Sequence, residues 1–427
     1  MKKEKRLVII VDDNHTNLRL GASVLSEYYD VATAPSADKL FVLLESNEPD
    51  LILLDIDMPE MDGYETIKIL KSNEKTKDIP VIFLTAKTES DDELEGLSLG
   101  AIDYITKPFQ PSLLIKRIEV HLLVQEQQKA LQYFNDHLHK ALSTYLSDEV
   151  VDEIIADPTR LQLGGVKRYM TAMFTDVRNF SGIAEALTPE QLIDMLNYYL
   201  SVMSDVIMEQ KGTIDKYIGD AIVSFFGAPI ELPDHALRAC TAAIIMKRLE
   251  GEVNENIAKK GINHLHTRIG INTGDIVVGN MGTQKKMNYT MSGNAVNLAS
   301  RLEGINKHYG TWIICSENTI NETKGEFLSR RLDLIRVAGI KEPLRIYELL
   351  ETNTYAQPAM HEMVKLFNKA HALFESRNWK EAEKTFYQVL KLNPEDRPSL
   401  IYRDRCNLYF TNPPPEDWDG VFIFTEK

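Results

Sequence analysis

Two stretches constrain the fold of this chain more than any others: RLVIIVDDN, residues 6–14, and PDLILLDIDMPEMDG, residues 49–63. Both are apolar at consecutive positions, not alternate ones, and both then break into aspartate. A strand that is apolar on both faces has to be covered on both, which is the condition of a parallel sheet with helices on each side. In such sheets functional groups gather beyond the carboxyl ends of the strands. Asp12, Asp13 and Asp55 therefore converge. IPVIFLTA (79–86) and AIDYITKPF (101–109) place Thr85 and Lys107 at the ends of two further strands. Carboxylates that can hold a hard divalent cation, with a hydroxyl and an ammonium beside them, suit the reception of a phosphoryl group; a chance stacking of acidic loops is the plain alternative.

These five positions resemble the receiver domain of bacterial response regulators, an α/β fold with a doubly wound five-stranded parallel sheet, and the resemblance covers residues 5–122. It implies that Asp55 is the phosphoacceptor and that a sensor histidine kinase is the phosphodonor. By the same resemblance Asp12, Asp13, Asp55 and the Asp57 carbonyl hold Mg²⁺, Thr85 and Lys107 engage the phosphoryl oxygens, and Tyr104 is the aromatic switch.

At 427 residues the chain is long enough for two or three compact units. Its 63 acidic against 48 basic residues give a formal charge of −15, which argues against a nucleic-acid-binding face. No apolar run approaches a membrane span, and the opening MKKEKRLVIIVDD has too short an apolar core for a secretory signal. Cys240, Cys315 and Cys406 show no metal-ligand spacing. A cytoplasmic protein with free thiols is expected.

From Pro111 onward Val120, Val124, Leu131, Phe134, Leu138, Ala141 and Tyr145 follow steps of three and four, broken at Gln127. This stripe predicts a helix that pairs with its copy in a dimer or packs on the chain's own domains. LSDEVVDEII extends it behind a Ser147 cap.

Beyond this joint, MFTDVRNFS (173–181) reads as a strand ending at Asp176, and DKYIGDAIVSFFG (215–227) as a hairpin with Asp220 at its turn. Taken singly, Asp176 is a helix-start carboxylate and Asp220 a solvated turn residue. Strand, helix and hairpin together fit a ferredoxin-like βαββαβ layout whose adjacent central strands bring both carboxylates together, an arrangement that favours a shared cation. NYTMSGNAVNLASRLEG (288–304) puts Asn297 and Arg301 four apart on one helical face, suited to developing phosphate charge or merely solvated.

With INTGDIVVGNMG (271–282), these stretches resemble the catalytic domain of class III nucleotide cyclases, an α+β ferredoxin-like fold, from Lys167 to Leu350. The resemblance implies that Asp176, Asp220 and the Val177 carbonyl hold two Mg²⁺ or Mn²⁺ ions, that Asn297 and Arg301 are catalytic, and that each site is completed across a homodimer. Lys216 and Thr290 stand at the base-reading positions. Lysine can only donate, which suits adenine N1 and hence ATP. Where many members carry a Lys-Gly-Lys phosphate clamp, this chain reads VAGIKEP, with Ala338 and Ile340 at the lysine places.

Residues 363–396 fit one 34-residue helix-turn-helix repeat with Ala370, Ala382, Phe386 and Pro394 at its marked places, a tetratricopeptide-like element that docks on the cyclase or binds a partner. The expected organisation is a receiver (1–125), a helical dimerisation linker (126–165), a cyclase domain (166–351) and a helical tail (352–427). The expected activity is an adenylate cyclase that turns ATP into 3′,5′-cyclic AMP and pyrophosphate under control of Asp55 phosphorylation. A guanylate cyclase and a catalytically weak nucleotide-binding scaffold are the alternatives; a diguanylate cyclase lacks its Gly-Gly-Asp/Glu-Glu-Phe stretch.

Overall fold

The computed structural model describes residues 5–86, 97–143, 151–152, 155, 157, 162–337 and 342–424. The chain divides into two compact units, Met1–Ala141 and Leu142–Lys427.

In the first unit the elements run β1 (Leu7–Val11), α1 (His15–Leu25), β2 (Asp30–Ala34), α2 (Ala37–Leu44), β3 (Leu51–Asp55), α3 (Gly63–Ser72), β4 (Val81–Thr85), β5 (Asp103–Thr106) and α4 (Pro111–Ser143). The five strands form one parallel sheet in the order β2-β1-β3-β4-β5. The consecutive apolar residues divide between its faces. Val8, Ile10, Leu51, Leu53, Ile82 and Leu84 pack with Leu114, Ile118 and Leu122 of α4. Ile9, Val11, Ile52, Leu54, Val81 and Phe83 pack with Leu40, Ile67 and Leu70 of α2 and α3. Each such side chain contributes about 1.5–3 kcal/mol on burial, which is why both helical layers are held. The start of α3 is fixed by Asp62, whose carboxylate accepts from the Glu65 N–H at 2.7 Å. A Cβ at Gly63 would lie 2.4 Å from the Asp55 carbonyl oxygen, so only glycine lets α3 begin against the end of β3.

α4 runs unbroken across the expected boundary at residue 125, so the last receiver helix and the start of the linker are one element. Val120, Val124, Leu131, Phe134 and Leu138 on it are exposed. Tyr145 and the Ser147 cap lie outside the described residues.

The second unit continues with β6 (Gly164–Val177), α5 (Phe180–Ala184), α6 (Pro189–Glu209), β7 (Thr213–Ile218), β8 (Ala221–Phe226), α7 (His235–Ala258), β9 (Thr267–Thr283), β10 (Lys286–Ser292), α8 (Asn294–Tyr309), β11 (Ile313–Ser316), α9 (Glu317–Glu322), β12 (Phe327–Arg336) and β13 (Leu344–Thr352). The order β9-β6-β8-β7 within its sheet is the ferredoxin-like arrangement, with β6 and β8 as neighbours. On one face α6 and α7 bury Met195, Tyr199, Met203, Ala239, Ala243 and Met246 against β6 and β9. Cys240 and Cys315, remote in sequence, are free thiols side by side in this core.

The tail forms α10 (Pro358–Glu375), α11 (Trp379–Leu392), α12 (Arg397–Thr411) and β14 (Phe422–Ile423). Ala370, Ala382 and Phe386 are buried among the three helices with Phe367 and Tyr402, whereas Pro394 is exposed in the turn before α12. The tail docks on β12 and β13 of the same unit. Buried Arg330 of β12 binds both Asp396 oxygens, at 2.9 and 2.7 Å, and Glu348 of β13 at 2.6 Å. Tyr402 donates to the Leu332 carbonyl at 2.7 Å, and Asp333 accepts from Tyr309 at 2.5 Å and Arg405 at 2.6 Å. Phe422 and Ile423 add a parallel strand to β12 at the sheet edge, an ending the sequence did not announce.

Candidate functional site

Two sites follow from this framework. In the first unit, β1, β3, β4 and β5 all end at one edge, because parallel strands put their carboxyl termini together. Ligand-capable oxygens of Asp12, Asp13 and Asp55 lie within 4.8 Å of one another, with Asp12 and Asp55 buried and Asp13 exposed. Lys107, just past β5, places Nζ 2.6 Å from Asp12 and 2.7 Å from Asp55. Asn17 donates to both Asp12 oxygens at 3.1 Å, and the Asp57 N–H donates to Asp55. Burial pushes the Asp55 carboxyl above its usual range, and the bond and charge of Lys107 only partly offset this. Thr85 closes β4 opposite Thr106, and Tyr104 pairs with Phe83 on the neighbouring strand, 5.9 Å beneath the Arg117 guanidinium. Three hard oxygen donors in one pocket fit a Mg²⁺ ion.

In the second unit Asp176 is the penultimate residue of β6, and Asp220 follows Gly219, whose φ of +65° makes the tight turn between β7 and β8. The Val177 N–H donates to Asp220 Oδ2 at 2.8 Å, which ties the turn to the end of β6. Burial raises the pKa of Asp176, and the Asp220 charge raises it further; burial raises Asp220 too. Carboxylates held in this state favour a bound cation.

Two residues that the sequence reading passed over complete this cluster. Arg268 on β9 is in register with Asp176 and lies 3.5 Å from its Oδ2. Glu303 on α8 lies 3.8 Å from Arg268 Nε, and its carboxyl is pushed up to about 7, by burial first and then by Asp176. α8 reaches so close because of Gly270: a Cβ there would lie 2.2 Å from the Glu303 nitrogen. Glu303 stood inside a stretch already singled out, two residues past Arg301. At about 100° per residue these two point to nearly opposite sides of the helix. Asn297 is exposed and Arg301 half-buried, and neither side chain bonds a partner among the described residues.

Lys216 and Thr290, 74 residues apart, come together with Nζ 3.3 Å from Oγ1. Thr290 donates to Asp215 Oδ2 at 2.8 Å, and Lys216 lies 3.4 Å from Asp215 Oδ1. A bulge between Ile214 and Lys216 gives β7 the extra residue at Asp215, whose carboxyl burial raises. Ala338, Ile340 and Lys341 lie outside the described residues.

Residues 8–119 match the response regulator receiver domain, and residues 166–351 the adenylate and guanylate cyclase catalytic domain. The chain therefore carries a receiver domain followed by a nucleotide cyclase domain. Adenylate cyclase 1 of Rhizobium meliloti (strain 1021) is 35% identical over 184 residues, 43% of this chain and 28% of that protein. An adenylate cyclase of Anabaena cylindrica is 33% identical over 240 residues, 53% of this chain and 46% of the relative. The matches thus span less than half the length of these relatives. Among solved structures, the adenylyl cyclase CyaB from P. aeruginosa is 34% identical with a TM-score of 0.42, covering 46% of this chain and all of that one. Among the described residues no helix is long and apolar enough to cross a membrane.

Proposed function

We propose that the chain is an adenylate cyclase that works as a homodimer and is regulated through its receiver. The observation that carries this reading is the division of α8. Glu303 turns toward Asp176 of its own chain, while Asn297 and Arg301 face away with no side-chain partner among the described residues. One copy thus offers the carboxylate half of a site and, elsewhere, the amide and guanidinium half. Two copies related by a twofold axis would join them into two whole sites.

In that site Asp176, Asp220 and the Val177 carbonyl would hold the divalent ions. When bound, two Mg²⁺ or Mn²⁺ ions activate the ribose 3′-hydroxyl and neutralise the leaving group. The 3′-oxygen bonds to the α-phosphorus as the bond to the β-phosphate oxygen breaks; the hydroxyl proton leaves to water and pyrophosphate departs. Arg301 and Asn297 of the second copy stabilise the charge that builds on the α-phosphate. Arg268 stands beside Asp176, where a triphosphate would draw its guanidinium.

Base selection follows from hydrogen-bond direction. Thr290 commits its proton to Asp215, so its remaining lone pairs can accept from the adenine N6 amine, while Lys216 donates to N1. Guanine offers a donor at N1 and an acceptor at O6, the wrong way round for both. In the receiver, Asp55 would take a phosphoryl group from a histidine kinase, with Asp12, Asp13 and the Asp57 carbonyl holding Mg²⁺. Thr85 and Lys107 would grip the transferred oxygens, and Tyr104 would repack in response.

The test is an assay of the purified full chain with ATP and with GTP, each with Mg²⁺ or Mn²⁺. Cyclic AMP as the main product is expected. A preference for GTP would overturn the base assignment, and no cyclic product under any pairing would favour a nucleotide-binding scaffold.

A further inference from the structure

The helical tail lies outside the 166–351 cyclase match, yet it grips α8, the helix that bears Asn297, Arg301 and Glu303. One face of α8 carries Leu298, Leu302, Ile305 and Tyr309, buried with residues of β11, β12 and β13. Ile401 of α12, with Phe422 and Phe424 near the end of the tail, packs on the same cluster. The last turn of α8 is held more closely still. Tyr309, fully buried, donates to Asp333 Oδ2 at 2.5 Å, and Arg405 of α12 donates to the same oxygen at 2.6 Å. His308 lies against Phe422 and Phe424, with ring centroids 5.2 and 5.1 Å away. Gly310 ends the helix at a φ of +68°, and a Cβ there would lie 2.8 Å from the Cβ and Cγ of Arg397, so the start of α12 presses on that turn.

These contacts brace one another. The Arg405 guanidinium lies 4.2 Å over the Phe422 ring, and the Phe424 N–H donates to the Arg336 carbonyl at 3.0 Å, so ion pair and edge strand are held as one piece. A helix that rolls about its axis carries every side chain with it. Arg301 stands one residue, about 100°, from buried Leu302, and Glu303 stands as far on the other side. Whatever fixes the roll of residues 302–309 therefore fixes where Arg301 points, and a close-packed core passes a shift at one end of the helix along its length.

We propose that the tail is a positioning element for catalysis. Arg405, acting through Asp333 and Tyr309, and Phe424, acting through His308, hold α8 at the roll that presents Asn297 and Arg301 to the α-phosphate. The clamp on α8 stands on these contacts alone; its catalytic consequence rests on the cyclase reading. Displacing a reacting group by about 1 Å costs about 10²-fold in rate, so a loosened last turn is enough to be felt at the site.

The test pairs two measurements on the full chain. Hydrogen–deuterium exchange read by mass spectrometry should be faster across α8 in Arg405→Ala and in Phe424→Ala, with the receiver sheet unchanged. Steady-state kinetics with ATP are run well below each variant's melting midpoint, so that loss of folded protein does not contribute. There kcat should fall about tenfold with KM little changed, and Arg405→Lys, which can still reach Asp333, should recover most of the loss. Phe424→Ala leaves every buried charge paired, so it carries the test if Arg405→Ala does not fold. Unchanged exchange in α8, faster exchange with unchanged kcat, or a rise in KM alone would overturn the proposal. A wild type without turnover would overturn the cyclase reading and the catalytic role together, whereas the exchange result decides the clamp on its own.

Discussion

Lys216 Nζ lies 3.3 Å from Thr290 Oγ1, and both close on the buried Asp215 carboxylate, so residues from β7 and β10 form one polar cluster. If this cluster reads the purine, Lys216→Glu with Thr290→Cys should depress turnover of ATP by about tenfold or more, because a carboxylate cannot donate to adenine N1. The check is the ratio of kcat/KM for ATP and GTP; an unchanged ratio would remove both residues from base recognition.

Asp176→Asn and Asp220→Asn should each abolish cyclisation while leaving the fold intact, since each removes a charge that burial already disfavours. Arg301→Ala should lower kcat about 10²- to 10³-fold with a smaller effect on KM, because its partner exists only as charge builds on phosphate. Steady-state kinetics beside a thermal melt separate loss of chemistry from loss of fold.

The tail is bound by a buried ionic network, so breaking it should be costly. Asp396→Ala leaves Arg330 with Glu348 alone and removes the cap on the Ser399 N–H, and a loss of about 3–5 kcal/mol is expected. Cys406 reports this directly. Burial holds its thiol up at about 12, so it should resist labelling in the native protein. In Asp396→Ala its labelling should accelerate more than that of Cys240 or Cys315, measured residue by residue by mass spectrometry.

Much of this architecture is legible in the sequence, because consecutive apolar strands ending in Asp12 and Asp55 allow few folds but a doubly wound sheet. Asp176 and Asp220 are legible for a similar reason, as strand-end and turn carboxylates in one small layout. Glu303, Arg268 and Asp215 are not. Their positions depend on how far α8 is rotated, on the register that sets Arg268 opposite Asp176, and on a one-residue bulge in β7. None of these leaves a periodic trace. The contact of Cys240 with Cys315 and the two-residue strand Phe422–Ile423 are likewise products of tertiary packing. The exposed stripe on α4 was visible as a pattern, whereas the continuity of that helix past residue 125 was not.

Phosphorylation at Asp55 adds charge beside Lys107 and should change the cyclase rate through α4. A tenfold change requires only about 1.4 kcal/mol of bias between two arrangements. Wild type and Asp55→Asn are compared with and without a small-molecule phosphodonor and Mg²⁺. A donor that phosphorylates wild type yet alters its rate no more than that of Asp55→Asn would show that the receiver does not gate turnover.

The central claim is that each active site takes Asp176 and Asp220 from one copy and Asn297 and Arg301 from another, and the most direct measurement is complementation. Asp176→Asn and Arg301→Ala proteins, each inactive or nearly so, are mixed in equal amounts under conditions where subunits exchange. Half of the dimers would then be mixed, each with one intact site of two, so cyclic AMP formation should recover to about one quarter of the wild-type rate. Mixtures in which exchange is demonstrated and activity stays at the level of the separate variants would contradict a shared site.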